Sequence, residues 1–458
     1  QDLTNGEQSV PGATRTSYDG AGRTTAAITL VHNVEQWRTS IAYPGADRTD
    51  LTPPAGATAT TTFADARGNT TALLQYHGSG IGDPNDPSSY DKTSYTYNTD
   101  DTMATMTNQA GQVWTWAYDV LNRPITTSSP LVGTSRYTYT AVGKVATSKN
   151  SARQTLAYTY DADGRTTAIN STDANGPLLA SWTYDTVSKG QLSAATSYRG
   201  SVSGTPGAAY TRAVTSYDAM DRPTGTSVSL PAGALYSGSA ALTYAEAFTY
   251  NVAGSLATQS LPAIGGLPAE TIKPTYTALG HLEEYGGIVN STFADYVFAA
   301  YSPIGLLQDA KHFTATRRLE ETYSYAEGTN RLTGISTTTA AARNNLVGNL
   351  TYTYNDSGTI TKIANNPSSQ PADNQCFSYD YLQRLSTAWT PADGNCAAAP
   401  SSVNLGGPNP YWQAYTYDTN GNRTTLSSYP AGTGATTGTD TTTGTEHAWE
   451  APPDVRGP

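Results

Sequence analysis

The chain has 458 residues, of which 37 are acidic and 26 basic, so its formal net charge is −11 and only 14% of its residues are charged. This charge is too sparse for a disordered polyelectrolyte and has the wrong sign for a nucleic-acid-binding domain. No apolar run approaches the ~20 residues that a membrane-spanning helix needs, so no membrane span is predicted. Tyr outnumbers Phe by 32 to 6. Since Tyr and Thr favour strands and a Tyr hydroxyl can stay hydrated while its ring packs, this composition favours sheets with water on at least one side.

A short phrase returns about fifteen times: two aromatic residues two positions apart, then Asp or Asn, a turn and a strand-like tail. Its clearest copies are YTYDADGRTTAI (158–169), YTYNDSGTITKI (352–363) and YTYDTNGNRTTL (415–426). A fixed period of this size is typical of a repeat architecture. Four consecutive copies place the second aromatic at a constant step of 21 residues, at Tyr97, Tyr118, Tyr139 and Tyr160.

We take the second aromatic of each copy as the anchor of its repeat. The clearest anchors are Tyr18, Tyr97, Tyr118, Tyr139, Tyr160, Tyr184, Tyr217, Tyr250, Tyr354, Tyr379 and Tyr417. Phe63, Tyr276, Tyr301 and Tyr325 complete the set, and the motif is degenerate after the first three of these. Outside the regular run, the extra length between anchors has the composition of loops, as at 78–84, 201–207, 231–234 and 400–410.

Each repeat is predicted to be two strands joined by a turn. Alternation of aromatic and Thr residues puts both aromatics on one strand face and Thr on the other. The D-x-x-G that follows is a tight-turn signature, since Asp bonds backbone groups ahead of it and Gly accepts a positive φ. An Arg recurs after the turn, where it can pair with a turn Asp or stack on a Tyr ring. These residues are Arg23, Arg123, Arg165, Arg222, Arg384 and Arg423.

The predicted organisation is one continuous repeat unit over residues 1–430, followed by a Thr-, Gly- and Pro-rich tail or linker at 431–458. Since the sequence begins at Gln1 without Met or a signal-peptide pattern, we expect it to be a processed or excised segment. Cys376 and Cys396 either form a disulfide that brackets one repeat, which implies an oxidising compartment, or are two unrelated small core thiols. The loop-like residues around Cys396 favour the disulfide.

The Y-D-x-x-G-R phrase, as at 18–23 and 160–165, resembles the YD repeat of the Rhs family, which also occurs in insecticidal toxin complexes and teneurins. The resemblance covers residues 15 to 430. It implies an all-β fold in which a long antiparallel sheet of hairpins spirals into a hollow shell, and a shell of this type commonly encloses a toxic polypeptide made from the same gene. Family members that release a cargo carry a D-P-x-G-x-x-x-G cleavage segment. The Asp-Pro pairs at 83–84 and 86–87 do not match it.

No pattern in the sequence predicts a catalytic residue, a metal site or a cofactor. None of the five His residues has a His or Cys partner at ligand spacing, and no H-E-x-x-H occurs. The pairs Glu283-Glu284 and Glu320-Glu321 place neighbouring carboxylates on opposite faces of a strand, which prevents them from acting as one acid/base pair.

We therefore predict a non-catalytic, secreted wall segment of the Rhs type, whose partner is an enclosed toxin polypeptide of the same gene product. Two alternatives remain. One is an extracellular carbohydrate-binding or cell-surface adhesin module, for which Trp37, Trp412 and Trp449, outside the repeat register, are candidate contacts with glycans. The other is a wall component that assembles with itself through open sheet edges.

Overall fold

The computed structural model describes residues 11–314, 318–339, 346–368, 370–432 and 438–442. Within these ranges the chain forms thirty-three β-strands and one short 3₁₀ turn, Pro87–Ser89, with no α-helix. The chain divides into two compact units, one made of the described residues up to 114 and from 318 onward, the other of residues 115–314. In both units, each strand pairs antiparallel with the strand next to it in sequence, and the predicted all-β repeat fold is confirmed.

The first unit begins with eight strands that form a continuous antiparallel ladder. They are β1 (Gly12–Tyr18), β2 (Thr24–Val31), β3 (Val34–Ala42), β4 (Arg48–Thr52), β5 (Thr60–Ala64), β6 (Thr70–Tyr76), β7 (Tyr90–Tyr97) and β8 (Met103–Thr107).

The second unit continues the hairpin pattern through sixteen strands. They are β9 (Val113–Tyr118), β10 (Pro124–Ser129), β11 (Gly133–Tyr139), β12 (Val145–Lys149), β13 (Thr155–Tyr160), β14 (Thr166–Ser171), β15 (Leu178–Tyr184), β16 (Leu192–Arg199), β17 (Ala208–Tyr217), β18 (Pro223–Leu230), β19 (Leu242–Tyr250), β20 (Leu256–Leu261), β21 (Glu270–Tyr276), β22 (Leu282–Val289), β23 (Thr292–Tyr301) and β24 (Leu307–Phe313).

Nine further strands complete the first unit. They are β25 (Arg318–Tyr325), β26 (Leu332–Thr339), β27 (Leu346–Tyr354), β28 (Ile360–Asn365), β29 (Asp373–Tyr379), β30 (Leu385–Trp389), β31 (Trp412–Tyr417), β32 (Arg423–Ser428) and β33 (Thr439–Thr442). β33 lies inside the stretch assigned from sequence to the tail and pairs with β32, so the sheet extends past residue 430. Residues 433–437 and 443–458 of the predicted tail lie outside the described residues.

The hydrophobic core is thin for a chain of this length. Fifteen apolar residues are buried in the described ranges, and seven of them are Ala. Among the described residues, two clusters of buried apolar side chains form, both in the first unit: one around Tyr76 and Tyr90, the other from the inward residues of β2. Most strand residues are half-buried instead. Hydrophobic burial alone therefore does not explain how neighbouring repeats hold together.

The two cysteines are joined in a disulfide. Cys376 lies on β29 and Cys396 in the connection between β30 and β31, with a Cα–Cα distance of 5.4 Å and a sequence separation of 20. Cys376 is fully buried, and the bond ties a long surface connection to the sheet beneath it.

Candidate functional site

The turn after most anchors is built around one side-chain oxygen, which belongs to a carboxylate or amide in most copies and to a hydroxyl at Thr140, Thr277 and Ser302. In the copy at 160–165, the N–H of Asp161 donates to the carbonyl of Arg165 and the N–H of Gly164 donates to the carbonyl of Asp161. Oδ1 of Asp161 accepts two further N–H groups, from Asp163 at 3.1 Å and Arg165 at 2.8 Å. Gly164 has φ +77°. Gly adopts this conformation without strain, whereas a β-branched residue would be strained there.

The Arg that follows the turn pairs with the same carboxylate. In five copies, Nε of the Arg donates to Oδ2 of the turn Asp at 2.7–2.8 Å. The pairs are Asp19–Arg23, Asp119–Arg123, Asp161–Arg165, Asp218–Arg222 and Asp380–Arg384. The charged hydrogen bond from Arg lowers the pKa of Asp119 and Asp218 below its usual value. Arg423 does not occupy this position, since Asn422 donates to Asp418 in its place.

The guanidinium group then reaches the next repeat. It lies over the ring of the following repeat's anchor at 4.4 Å for Arg123 on Tyr139, 4.5 Å for Arg165 on Tyr184 and 4.5 Å for Arg222 on Tyr250. Arg384 stacks on Tyr417 in the same way, at 4.7 Å. The sequence left two roles open for this Arg, pairing with a turn Asp or stacking on a Tyr ring, and in these copies the same guanidinium group has both.

The anchor ring also bonds back to the repeat before it. Its hydroxyl donates to the backbone carbonyl of the first residue after the previous Arg position, at 2.7–3.1 Å in nine copies. The donors are Tyr97, Tyr139, Tyr160, Tyr184, Tyr217, Tyr250, Tyr354, Tyr379 and Tyr417. We call this arrangement of turn, following side chain and next anchor the inter-repeat clamp. Every anchor except Phe63 is the last residue of its strand.

Two members of the clamp series were missed or misread from sequence. Tyr43 was not assigned as an anchor, yet its hydroxyl donates to Thr24 O at 3.0 Å and Arg23 stacks on its ring at 4.1 Å. The 45-residue gap between Tyr18 and Phe63, about two periods long, was the available signal. His281 stands at the Arg position of its turn and stacks on the next anchor, Tyr301, with ring centroids 4.9 Å apart.

The turn residue and the residue four positions later vary together within this one chain. The five turns with the Arg partner all begin with Asp. Five turns that begin with Asn have Thr, Gln or Ser four positions on, and their backbone hydrogen bonds are the same. These are the turns at Asn98, Asn108, Asn150, Asn251 and Asn355. Asp also begins turns without the Arg partner, since Asp65 and Asp418 have Asn four positions on. In the described residues the Arg pair is thus found on Asp turns, but not on every Asp turn.

The first unit has a second set of polar contacts, between its two sequence segments. Tyr381 donates its hydroxyl to Asp91 and packs its ring on His77, with centroids 4.5 Å apart. His77 Nε2 lies 3.2 Å from the other oxygen of Asp91. Thr58 donates to Tyr381 O at 2.5 Å. We call these contacts, with those that follow, the seam.

The seam continues toward both ends of the segments. Ser357 N donates to Ala55 O at 3.1 Å, and Asn108 Nδ2 donates to Asn420 Oδ1 at 2.9 Å. His32 Nε2 lies 3.2 Å from a carboxylate oxygen of Glu327. Burial and the hydrogen bond to Asp91 raise the pKa of Tyr381 above its usual range, so this hydroxyl stays protonated and donating.

Most of the other residues considered from the sequence make contacts within the protein. Trp37 lies under Arg331 at 4.2 Å in the seam, and Trp412 stacks on Tyr429 at 3.7 Å; Trp449 lies outside the described residues. Asp86 caps the 3₁₀ turn through Ser88 N. In the described part of the chain no three His, Cys, Asp or Glu side chains are placed to hold a metal ion, and no helix is long and apolar enough to cross a membrane.

The chain is similar in fold to structures of Tc toxin components. It matches TcdB2-TccC3 with a TM-score of 0.74 at 17% identity, over 96% of this chain and 23% of that one. TcdB2-TccC3 without its hypervariable C-terminal region gives 0.73 at 18%, over 95% and 22%. The Photorhabdus luminescens Tc holotoxin pore gives 0.71 at 17%, over 93% and 22%.

The chain thus spans less than a quarter of the length of these proteins. No protein-family model and no curated protein sequence matches it. The comparisons indicate no catalytic family.

Proposed function

We propose that this chain, whose fold is that of an Rhs/YD-repeat shell, is a non-catalytic wall segment of a larger secreted protein. In this proposal the completed wall is hollow and encloses a toxic polypeptide of the same gene product. The residues described here hold the wall together, and the activity belongs to what it encloses.

The inter-repeat clamp carries this proposal. A solid sandwich is stabilised by inward side chains that fill a shared core. Here the core is thin, and in nine copies the hydroxyl of the anchor Tyr bonds to the preceding repeat along the sheet, with an Arg stacked on the same ring in several of them. Stability that comes from nearest-neighbour contacts does not require the space on either side of the sheet to be filled. Such a sheet is suited to surround a cavity.

The comparisons support the proposal by fold alone. The similar proteins are Tc toxin components more than four times as long, and one of them is described with and without a hypervariable C-terminal region. A variable segment after a constant wall is the arrangement expected if the wall serves many cargos. Secretion is consistent with the disulfide, because such bonds persist in oxidising compartments.

Protease protection tests the proposal. The full-length gene product, with a specific protease site inserted in the segment downstream of the wall, is incubated with that protease before and after denaturation. Enclosure predicts that cleavage is at least about a hundredfold slower in the native protein, because the site must first be exposed by opening of the wall. A protease site on a surface loop of the wall, at residues 201–207, serves as the accessible control.

Three results would contradict the proposal. Cleavage of the downstream site as fast as the surface control would show that nothing is enclosed. Concentration-dependent growth of the purified chain into long assemblies, with no cavity, would favour the self-assembling wall instead. A structure of the full-length protein with a solid interior would also exclude enclosure.

A further inference from the structure

One connection departs from the repeat pattern. Residues 390–411, between β30 and β31, form the longest connection among the described strands, where most others are tight turns. Loops longer than ~12–15 residues without their own secondary structure are uncommon and are usually functional or disordered. This one is held in place, because Cys396 is bonded to β29 and Pro391 and Leu405 pair in a short bridge.

Backbone contacts at the base of the loop fix it further. Gly406 N donates to Thr390 O at 2.9 Å, and Tyr411 N donates to Thr390 Oγ1 at 2.9 Å. Thr390 itself is 1% exposed. The loop is therefore a built part of the molecule, and its far end, 408–410, stands exposed above the sheet.

Between this loop and the sheet lies an open bowl of about 650 Å³. Its floor is Ala388, a small buried residue in the middle of a row that runs across three strands: Phe377 pairs with Ala388, and Ala388 pairs with Gln413. The small side chain at the centre leaves the space that the neighbours enclose. The volume falls within the range of about 300–1,000 Å³ typical of small-ligand sites.

The side chains that line the bowl combine rings with amides and include no charged group, although Arg423 Cζ lies 6.0 Å from the centroid of the Tyr415 ring. Phe377, Tyr411 and Tyr415 supply aromatic surface. Tyr415 donates its hydroxyl to Gln413 Oε1 at 2.7 Å, which fixes the amide and leaves both N–H groups of its Nε2 free to donate. The side-chain amide of Asn409, on the rim, has no hydrogen-bond partner among the described residues.

We propose that this bowl binds a neutral saccharide. A sugar ring presents an apolar C–H face, which matches an aromatic ring, and hydroxyl groups, which match amides that both donate and accept. The absence of charged side chains in the lining disfavours an acidic or sulfated ligand. A proline-rich peptide would also contact aromatic rings, but it binds along an extended groove, and the three rings here lie around one open bowl. All of the residues that line the bowl belong to the first unit, and the proposed binding uses no contact with an enclosed polypeptide.

Binding to defined sugars tests the proposal. The full chain is titrated by calorimetry and saturation-transfer NMR with maltotriose, cellotriose, mannotriose and N-acetylchitotriose, up to about 10 mM. At least one is expected to bind saturably. Gln413→Ala is expected to weaken that binding about three- to tenfold, since it removes a hydrogen-bond donor, and Tyr415→Ala by at least as much.

Tyr137→Ala is the matched control, because Tyr137 occupies the equivalent position of a repeat without the loop. It is expected to leave the affinity unchanged. Mild reduction of the disulfide, with the fold checked by circular dichroism, is expected to weaken binding by releasing the loop. No saturable binding of any of the four sugars would overturn the proposal. So would equal losses in Tyr137→Ala and Gln413→Ala, or binding of a decaproline peptide at this site in place of sugars.

Discussion

The clamp predicts different effects for two tyrosines of the same strand. Tyr352 and Tyr354 both lie on β27, two residues apart, with their side chains half-buried. The hydroxyl of Tyr354 donates to Leu332 O at 2.7 Å, whereas Tyr352 makes no hydrogen bond through its hydroxyl among the described residues. The substitutions Tyr354→Phe and Tyr352→Phe thus remove the same atom from nearly the same place, and only the first breaks a clamp.

The magnitude follows from that one bond. Removing the donor leaves the carbonyl of Leu332 without its partner, and a typical intramolecular hydrogen bond contributes about 1 kcal/mol net to the free energy of unfolding. Tyr354→Phe is therefore expected to lower that free energy by about 1 kcal/mol, a roughly fivefold change in the unfolding equilibrium. Tyr352→Phe is expected to change it by less than about 0.3 kcal/mol.

Urea unfolding followed by tyrosine fluorescence and circular dichroism measures both effects, with the slope m compared to check that the transition is unchanged. Because clamps far apart in the sequence share no partners, the combination Tyr139→Phe, Tyr250→Phe and Tyr354→Phe is expected to lower stability by about the sum of the single effects. Equal losses for Tyr352→Phe and Tyr354→Phe would refute the reasoning, since the hydroxyl bond would then contribute nothing specific.

Three more predictions rest on other contacts. First, the pKa of Asp119, Asp218 and Asp161 is lowered in the folded chain, so their contribution to stability is present above the unfolded value of 3.8 and is lost as pH falls through the folded value. The urea midpoint should be flat from about pH 5 to 8 and fall below about pH 4, and Asp218→Asn should shrink that fall; an unchanged acid limb would exclude this cause. Second, Tyr381→Phe should destabilise the seam by about 1–2 kcal/mol and speed amide exchange near Asp91, whereas Tyr352→Phe should not. Third, the substitution pair Cys376→Ser and Cys396→Ser should cost about 3 kcal/mol, and full stability after reduction would contradict it.

The local structure could be predicted because the same short sequence recurs many times along the chain. The period, the two strands per unit and the tight turn all follow from residues within one copy, as at Tyr160, Asp161 and Gly164. The two roles for Arg were both visible from its position and chemistry. What could not be read was that one guanidinium fills both roles together, since this depends on the spacing between adjacent repeats.

Contacts between distant residues left no local signal. Tyr381 and Asp91 are 290 residues apart, and nothing near either of them in sequence predicts that they meet. Tyr43 was missed for a different reason: Ile41 replaces the first aromatic and Pro44 replaces the turn Asp, so only its place in the ladder identifies it. The bowl beside the 390–411 connection could not be predicted either, because the sequence indicated a loop but not which part of the sheet that loop lies against.

The co-variation of turn residue and following side chain indicates what the repeat encodes. An Asn turn and an Asp turn make the same backbone hydrogen bonds, so turn formation alone cannot explain why Asp and Arg occur together. The Asp–Arg pair is explained by its contact with the next anchor: Asp161 orients Arg165, and Arg165 lies on the ring of Tyr184. The guanidinium group of Arg165 also forms an ion pair with Asp185, the residue after Tyr184, at 2.5 Å. The phrase therefore specifies the junction between repeats rather than a core within each, as expected for a sheet that grows by addition of repeats.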